Sequence, residues 1–223
     1  MSIPRFRWVI FVRSLVAAEE HVPTQVFRLL GRFLTQQNQE ALFLEERGNP
    51  LTVAALRRRG AAALRELARA WPDLRYHTVE RRFGADLVEW LGRTLATADI
   101  ALVELGVDEE LTRWVGQLTR PHLQTILVDL VPDDPLLDQL RSRIDPATFT
   151  AVICHPANVP AYRGRTSARR IVTVEGPPQR LATAIAEGTL AAVLQAAQAV
   201  TAEPTVTNGQ RSDDAQLSNG GRG

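Results

Sequence analysis

The sequence contains no lysine: all 26 of its Lys+Arg residues are arginine. That excludes a Schiff-base lysine, a lysine general base and a phosphate-loop lysine. Arginine stays protonated, so it orients anions but does not shuttle protons. Cysteine is almost absent as well. Cys154 stands alone, so no disulfide forms within the chain, which fits a reducing compartment. Long apolar runs are missing too. The opening "MSIPRFRWVIFV" reaches Arg13 before it is long enough for a signal segment or a membrane span. The expectation is a cytosolic (cytoplasmic) protein without membrane contact. Formal net charge is only +1, which gives no bulk attraction to nucleic acid or anionic lipid.

Several motifs are also lacking. No G-x-G-x-x-G follows the first strand-like run, where the sequence reads "VRSLVAAEEHVP", and there is no Walker A sequence. His21, His77, His122 and His155 are far apart and form no zinc pattern, so they read as isolated surface histidines and no metal site is expected. "ICHP" sets Cys154 beside His155, but neighbours on a strand point to opposite faces, so they make no catalytic dyad. Cys154 reads as a small buried apolar residue. Ser14 has no G-x-S-x-G context. No cofactor is identified by any motif.

What is present is an alternation of two periods. Strand-like runs occur at 6–12, 41–46, 75–80, 98–105, 123–130, 149–154 and 169–175. Helical spacing of apolar residues occurs at 23–38, 51–71, 84–97, 108–120, 133–144 and 177–200. The central strands are continuously apolar, so both of their faces should be buried. This predicts an α/β fold: one doubly wound, mostly parallel sheet of the flavodoxin/Rossmann-like three-layer kind, with helices on both faces. Residues 1–200 should form a single domain. Residues 201–223, rich in Gly, Ser, Asn and Asp without a hydrophobic period, read as a disordered tail.

Five of the strands finish on or just past a carboxylate: Glu45 and Glu46, Glu80, Glu104, Asp129 and Glu175. In a doubly wound sheet such positions line the carboxyl edge, where ligands bind at the reversal of strand order. Arg13 and Ser14 close the first strand at the same edge. A strand leaving the core must become polar somewhere, so each acid also has a purely structural reading. Asp108, Glu109 and Glu110 follow Glu104 and suit the first turn of a helix. "LRRRG" (56–60) reads as a solvated helix face. "YRGRTSARR" (162–170) is the better anion-binding segment, with Arg163 and Arg165 as donors. It has no interleaved aromatics of the kind that bind RNA.

The run "SLVAAEEHVPTQVFRLLGRFL", then "ALFLEE", "LATADIALVEL", an acidic helix start, "QTILVDL" and the closing "RIVTVEGPPQRLATAIAEGTLAAVL" together resemble the nucleoside 2-deoxyribosyltransferase-like fold and related TIR-like domains. The resemblance spans roughly residues 6–197 and lies in architecture more than in motifs. It implies a site at the end of "ADIALVEL". The E-x-G-x-A and D-x-G-T settings of the transferases are absent, and "FVRSL" lacks their Ala-Gly-Pro.

Three functions follow as expectations. The first is a binding module for a nucleotide- or nucleoside-like molecule, or another small anion, with Arg13, Ser14, Glu45, Asp129, Arg163 and Arg165 as ligand-binding residues. The second is an enzyme cleaving or transferring an N-glycosidic bond of a nucleoside or NAD. There Glu104 or Glu110 would be the nucleophile or charge stabiliser, Asp108 the second acid, and Arg13 would position the substrate. The third is a non-catalytic adaptor that binds a protein partner. A second copy of the chain also remains open as a partner.

Overall fold

Successive residues of the first strand enter different cores. The computed structural model describes residues 4–17, 21–166 and 170–202. In it, β1 (Arg7–Val12) sends Trp8, Ile10 and Val12 to one side of the sheet and Val9 and Phe11 to the other. β4 (Ile100–Glu104) divides Ile100 and Leu102 from Ala101 and Val103 in the same way. β5 (Gln124–Asp129) and β6 (Ala151–Cys154) repeat the division. A strand covered on both sides must be apolar at every position, which is why these runs do not alternate with polar residues.

The remaining elements are α1 (Val22–Gln36), β2 (Glu40–Glu46), α2 (Pro50–Arg59), α3 (Ala62–Ala70), β3 (Tyr76–Val79), α4 (Gly84–Thr94), α5 (Glu109–Gln117), α6 (Pro135–Arg143), α7 (Val159–Tyr162), β7 (Ile171–Thr173) and α8 (Pro178–Ala202). The seven strands are all parallel, in the order β3-β2-β1-β4-β5-β6-β7. α1, α2, α3 and α8 contribute to the core on one face; α4, α5 and α6 cover the other. This is the expected doubly wound three-layer fold, with the Rossmann rather than the flavodoxin order of strands. The chain winds outward from β1 through β2 to β3, returns, and winds the other way from β4. The reversal falls between β1 and β4.

Local sequence explains most helix limits. Pro23 sits in the first turn of α1, where its missing N–H costs nothing. Asp108 caps α5 and Asp134 caps α6, each accepting a backbone N–H. The expected helix over 51–71 is two helices. Gly60 ends α2 with a φ of +58°, which a residue with a Cβ rarely adopts, and α3 restarts at Ala62. "RRR" thus lies in the last turn of α2, where positive charge is favourable. The expected loop after β6 contains a short α7 that buries Tyr162. α8 continues through Ala202, and the rest of the expected tail, like Ser167–Arg169, lies outside the described residues.

α8 lies beside α1 and completes that face of the core through Leu181, Ala182, Ile185 and Ala186. Ile185 is fully buried. Ile185→Ala should lower the free energy of unfolding by about 2–5 kcal/mol, measured by urea titration. A loss below ~1 kcal/mol would show that α8 is not part of the core.

Candidate functional site

The site is built where β1 and β4 part. Their ladder ends with Phe11 opposite Val103. Beyond it the chain from β1 turns towards α1, and the backbone N–H of Arg13 donates to Glu104 Oε2 at 2.7 Å. Glu104 is the last residue of β4 and is 3% exposed. Its other oxygen, Oε1, is buried and has no hydrogen-bond partner. Burial raises its pKa to about 7; the Arg13 N–H and charge oppose the shift, and the charge of Glu45 adds to it.

Glu45, at the end of β2, is equally buried but fully engaged. It accepts from the Tyr76 hydroxyl at 2.8 Å, the Leu15 N–H at 3.2 Å and the Thr52 hydroxyl. Burial still pushes its pKa upward against those three bonds. Ser14 belongs to the same network. Its Oγ lies 2.6 Å from Thr52 Oγ1 and accepts the N–H groups of Val16 and Ala17 at 3.0 Å each. Ser14 Oγ is therefore a structural hub rather than a free nucleophile. The carbonyls of this loop are also held: Arg28 donates to Leu15 O at 2.8 Å and Arg59 to Val16 O at 2.8 Å.

His21 was not anticipated as a site residue. It is half-buried and caps α1, its Nδ1 accepting the Thr24 N–H at 3.3 Å. Burial, then the charge of Arg13, lowers its pKa to about 4, so the ring is neutral at physiological pH. Pro23 has no N–H, and Gln25 N donates to His21 O. The first turn of α1 thus has few amides left to receive a phosphate. Arg13 itself is half-buried and packs over Gly106, whose added Cβ would lie 2.8 Å from Arg13 Cδ and 2.9 Å from Leu137 Cδ2. Gly106 also has a φ of +98°.

The other expected residues are placed elsewhere. Asp129 forms a buried two-bond pair with Arg141, at 2.7 and 2.9 Å, and accepts the Tyr162 hydroxyl at 2.9 Å. Asp108 caps α5 and pairs with Arg81 at 2.6 Å. Glu110 accepts the Gly84 N–H at 2.9 Å, tying α5 to the start of α4. Arg165 spends its guanidinium on the carbonyls of Arg141 and Ile144. Arg163 is exposed beside α7 and β7. So the structure joins Arg13, Ser14, Glu45 and Glu104, and leaves Asp108, Glu110, Asp129, Arg163 and Arg165 outside that network. Among the described residues, no group of His, Cys, Asp and Glu is arranged to hold a metal ion. No helix of the described residues is long and apolar enough to cross a membrane. Cys154 is buried, and burial pushes its thiol up to about 12, so it is unreactive.

Hence the site offers one buried carboxyl with an unengaged oxygen, able to be donor or acceptor near neutrality and held by the Arg13 amide. No protein-family model and no curated protein matches the chain. Among solved structures, an OMP decarboxylase from Leishmania donovani aligns at 12% identity over 85% of this chain and 95% of its own, with a TM-score of 0.28. A likeness at that score carries no argument about fold or function.

Two outcomes follow. Folded Glu104 keeps its proton to about pH 7, whereas an ordinary glutamate releases it at 4.5. The raised value makes its contribution to stability full below pH 4.5 and lost as pH climbs to about 7. Glu104→Gln should therefore gain on the wild type across that window, by on the order of 3 kcal/mol, and level off above it. Urea midpoints measured at several pH values test this; a difference independent of pH would contradict it. Asp129→Ala should cost about 3 kcal/mol by urea titration, because it removes the buried partner of Arg141 and leaves only the exposed Asp138 as counter-charge.

Proposed function

We propose that the chain binds a small nucleoside-like molecule at the crevice between the ends of β1 and β4, with Glu104 as the anchor. The observation that carries this reading is Glu104 Oε1, a buried carboxyl oxygen without a partner at the point of strand reversal. A buried polar atom left unpaired costs about 1–3 kcal/mol, which a ligand hydroxyl or ring nitrogen recovers on binding. In dinucleotide-binding sheets a carboxylate at the end of the strand after the first helix receives a ribose hydroxyl; here that position is Glu45, whose oxygens are engaged, so the free acceptor at this edge is Glu104 Oε1. Phosphate is a poorer fit, since the first turn of α1 is closed by His21 and Pro23. The resemblance to nucleoside-handling folds in the sequence agrees with this choice.

A second reading is favoured by the burial of Glu104 at 3% exposure, which pushes its carboxyl up to about 7. A carboxyl poised there is suited to proton transfer, so Glu104 would act as general acid or base in cleaving an N-glycosidic bond. Glycosidic chemistry usually takes two carboxyl groups. Glu45, the neighbouring buried acid, is saturated by three donors. Binding is accordingly the leading reading and cleavage the alternative.

One experiment separates them. Ribonucleosides, deoxynucleosides and NAD are titrated calorimetrically into the wild type and Glu104→Gln, and the mixtures are then chromatographed for free base. The binding reading expects a saturable signal without base release, and at least about tenfold weaker affinity in the Gln variant. Base release lost in that variant would establish the enzyme instead. Neither binding nor release from any of these compounds would sink both.

A further inference from the structure

On the opposite edge of the sheet lies an opening that the Glu104 network does not touch. It is a groove of about 800 Å³ running past the first residues of β5 and β6, Gln124 and Ala151, and bordered by α8 at Ala192. Glycine makes the groove's wall possible. At Gly116 of α5, an added Cβ would lie 2.5 Å from Thr148 Oγ1 and 2.8 Å from the Phe149 ring, so α5 approaches that turn closely only because position 116 has no side chain. The volume falls within the range of about 300–1,000 Å³ typical of small-molecule sites.

Its charge is of one sign. Arg120 and Arg170 line it, and no Asp or Glu does. Arg120 is steadied by one bond, from Nη2 to Gly92 O at 2.8 Å, and Arg170 by a bond from Nη1 to Ala147 O at 3.1 Å. Neither has an ion pair among the described residues. A guanidinium carries five N–H donors, so both retain donors for a ligand while being held in place. The rest of the lining is mixed: Leu118, Pro121, Leu123 and Ala192 give it apolar surface, set among threonines and glutamines.

We propose that this groove is a second ligand site, taking an amphiphilic anion: a phosphate or carboxylate headgroup, drawn by the positive charge of Arg120 and Arg170 and bound by a guanidinium of the pair, on an apolar body lying against Leu118, Pro121, Leu123 and Ala192. Forked guanidiniums bind either headgroup in the same geometry, and the apolar residues receive the body. The inference is independent of the nucleoside reading, because it shares no residue with the Glu104 network.

Octyl phosphate and octanoate, below their micellar concentrations, are titrated into the full chain by calorimetry. Octanol and inorganic phosphate serve as the neutral and the bodiless control. Saturable one-to-one binding of at least one of the two anions is expected, and the tighter of them identifies the headgroup. The double variant Arg120→Gln/Arg170→Gln should bind at least about tenfold more weakly, having lost charge-assisted hydrogen bonds. Ala192→Trp, which fills the groove from α8, should abolish binding while its circular dichroism stays that of the folded protein. Octanol or inorganic phosphate binding as tightly as the amphiphiles overturns the proposal. So does unchanged affinity in either folded variant, or the absence of saturable binding to the wild type.

Discussion

Everything at the carboxyl edge depends on how one backbone amide is satisfied. Where β1 leaves the sheet, Arg13 N–H loses its place in the ladder and would be stranded in a water-poor crevice. The carboxyl of Glu104 takes it instead, at 2.7 Å. Buried amides are nearly always paired, so an acceptor is needed there. One carboxyl oxygen meets the need and the second is left over. The same burial that makes Oε2 necessary penalises the charge on the group as a whole, raising its pKa to about 7. Structural duty and chemical availability therefore come from the two oxygens of one side chain.

The neighbouring acids show what a purely structural carboxylate looks like in this fold. Glu45 is closed by three donors drawn from the β1–α1 loop, α2 and β3. Asp129 is closed by Arg141 and Tyr162. In both cases the partners come from elements packed over the strand end, and both oxygens are engaged. Glu104 differs because it lies where the strand order reverses, so the crossing connections diverge above it rather than converge. The half-satisfied carboxyl sits buried at that point of divergence.

The sheet was legible because burial on both faces writes itself into sequence as unbroken apolar runs such as "IALV" and "TILV". Glu104 was legible too, as the polar end of such a run. What could not be read were partners distant along the chain. Tyr76 meets Glu45 and Arg141 meets Asp129, across 31 and 12 residues, and no local pattern encodes those meetings. Without them, the acids at the five strand ends look alike. Asp108 and Glu110 followed the reading that acids at a helix start serve the helix: Asp108 caps α5, and Glu110 ties it to α4. His21 carries no such signal: histidine is not a usual N-cap, and a proline at position 23 would by rule place the cap at Val22 rather than His21. The break in the helix over 51–71 had its signal in Gly60, whose φ of +58° ends α2.

The central claim is that Glu104 holds a titratable, buried and unpartnered oxygen at the point of strand reversal, which the proposed ligand would engage. The most direct test is the carboxyl carbon resonance of Glu104, assigned in ¹³C-glutamate-labelled protein by its disappearance in Glu104→Gln. Its pH titration is followed with and without a nucleoside. The account predicts a midpoint of about 7 in the free protein and a displaced midpoint once the ligand occupies Oε1. A midpoint at the ordinary glutamate value of 4.5, unmoved by every nucleoside, would contradict it.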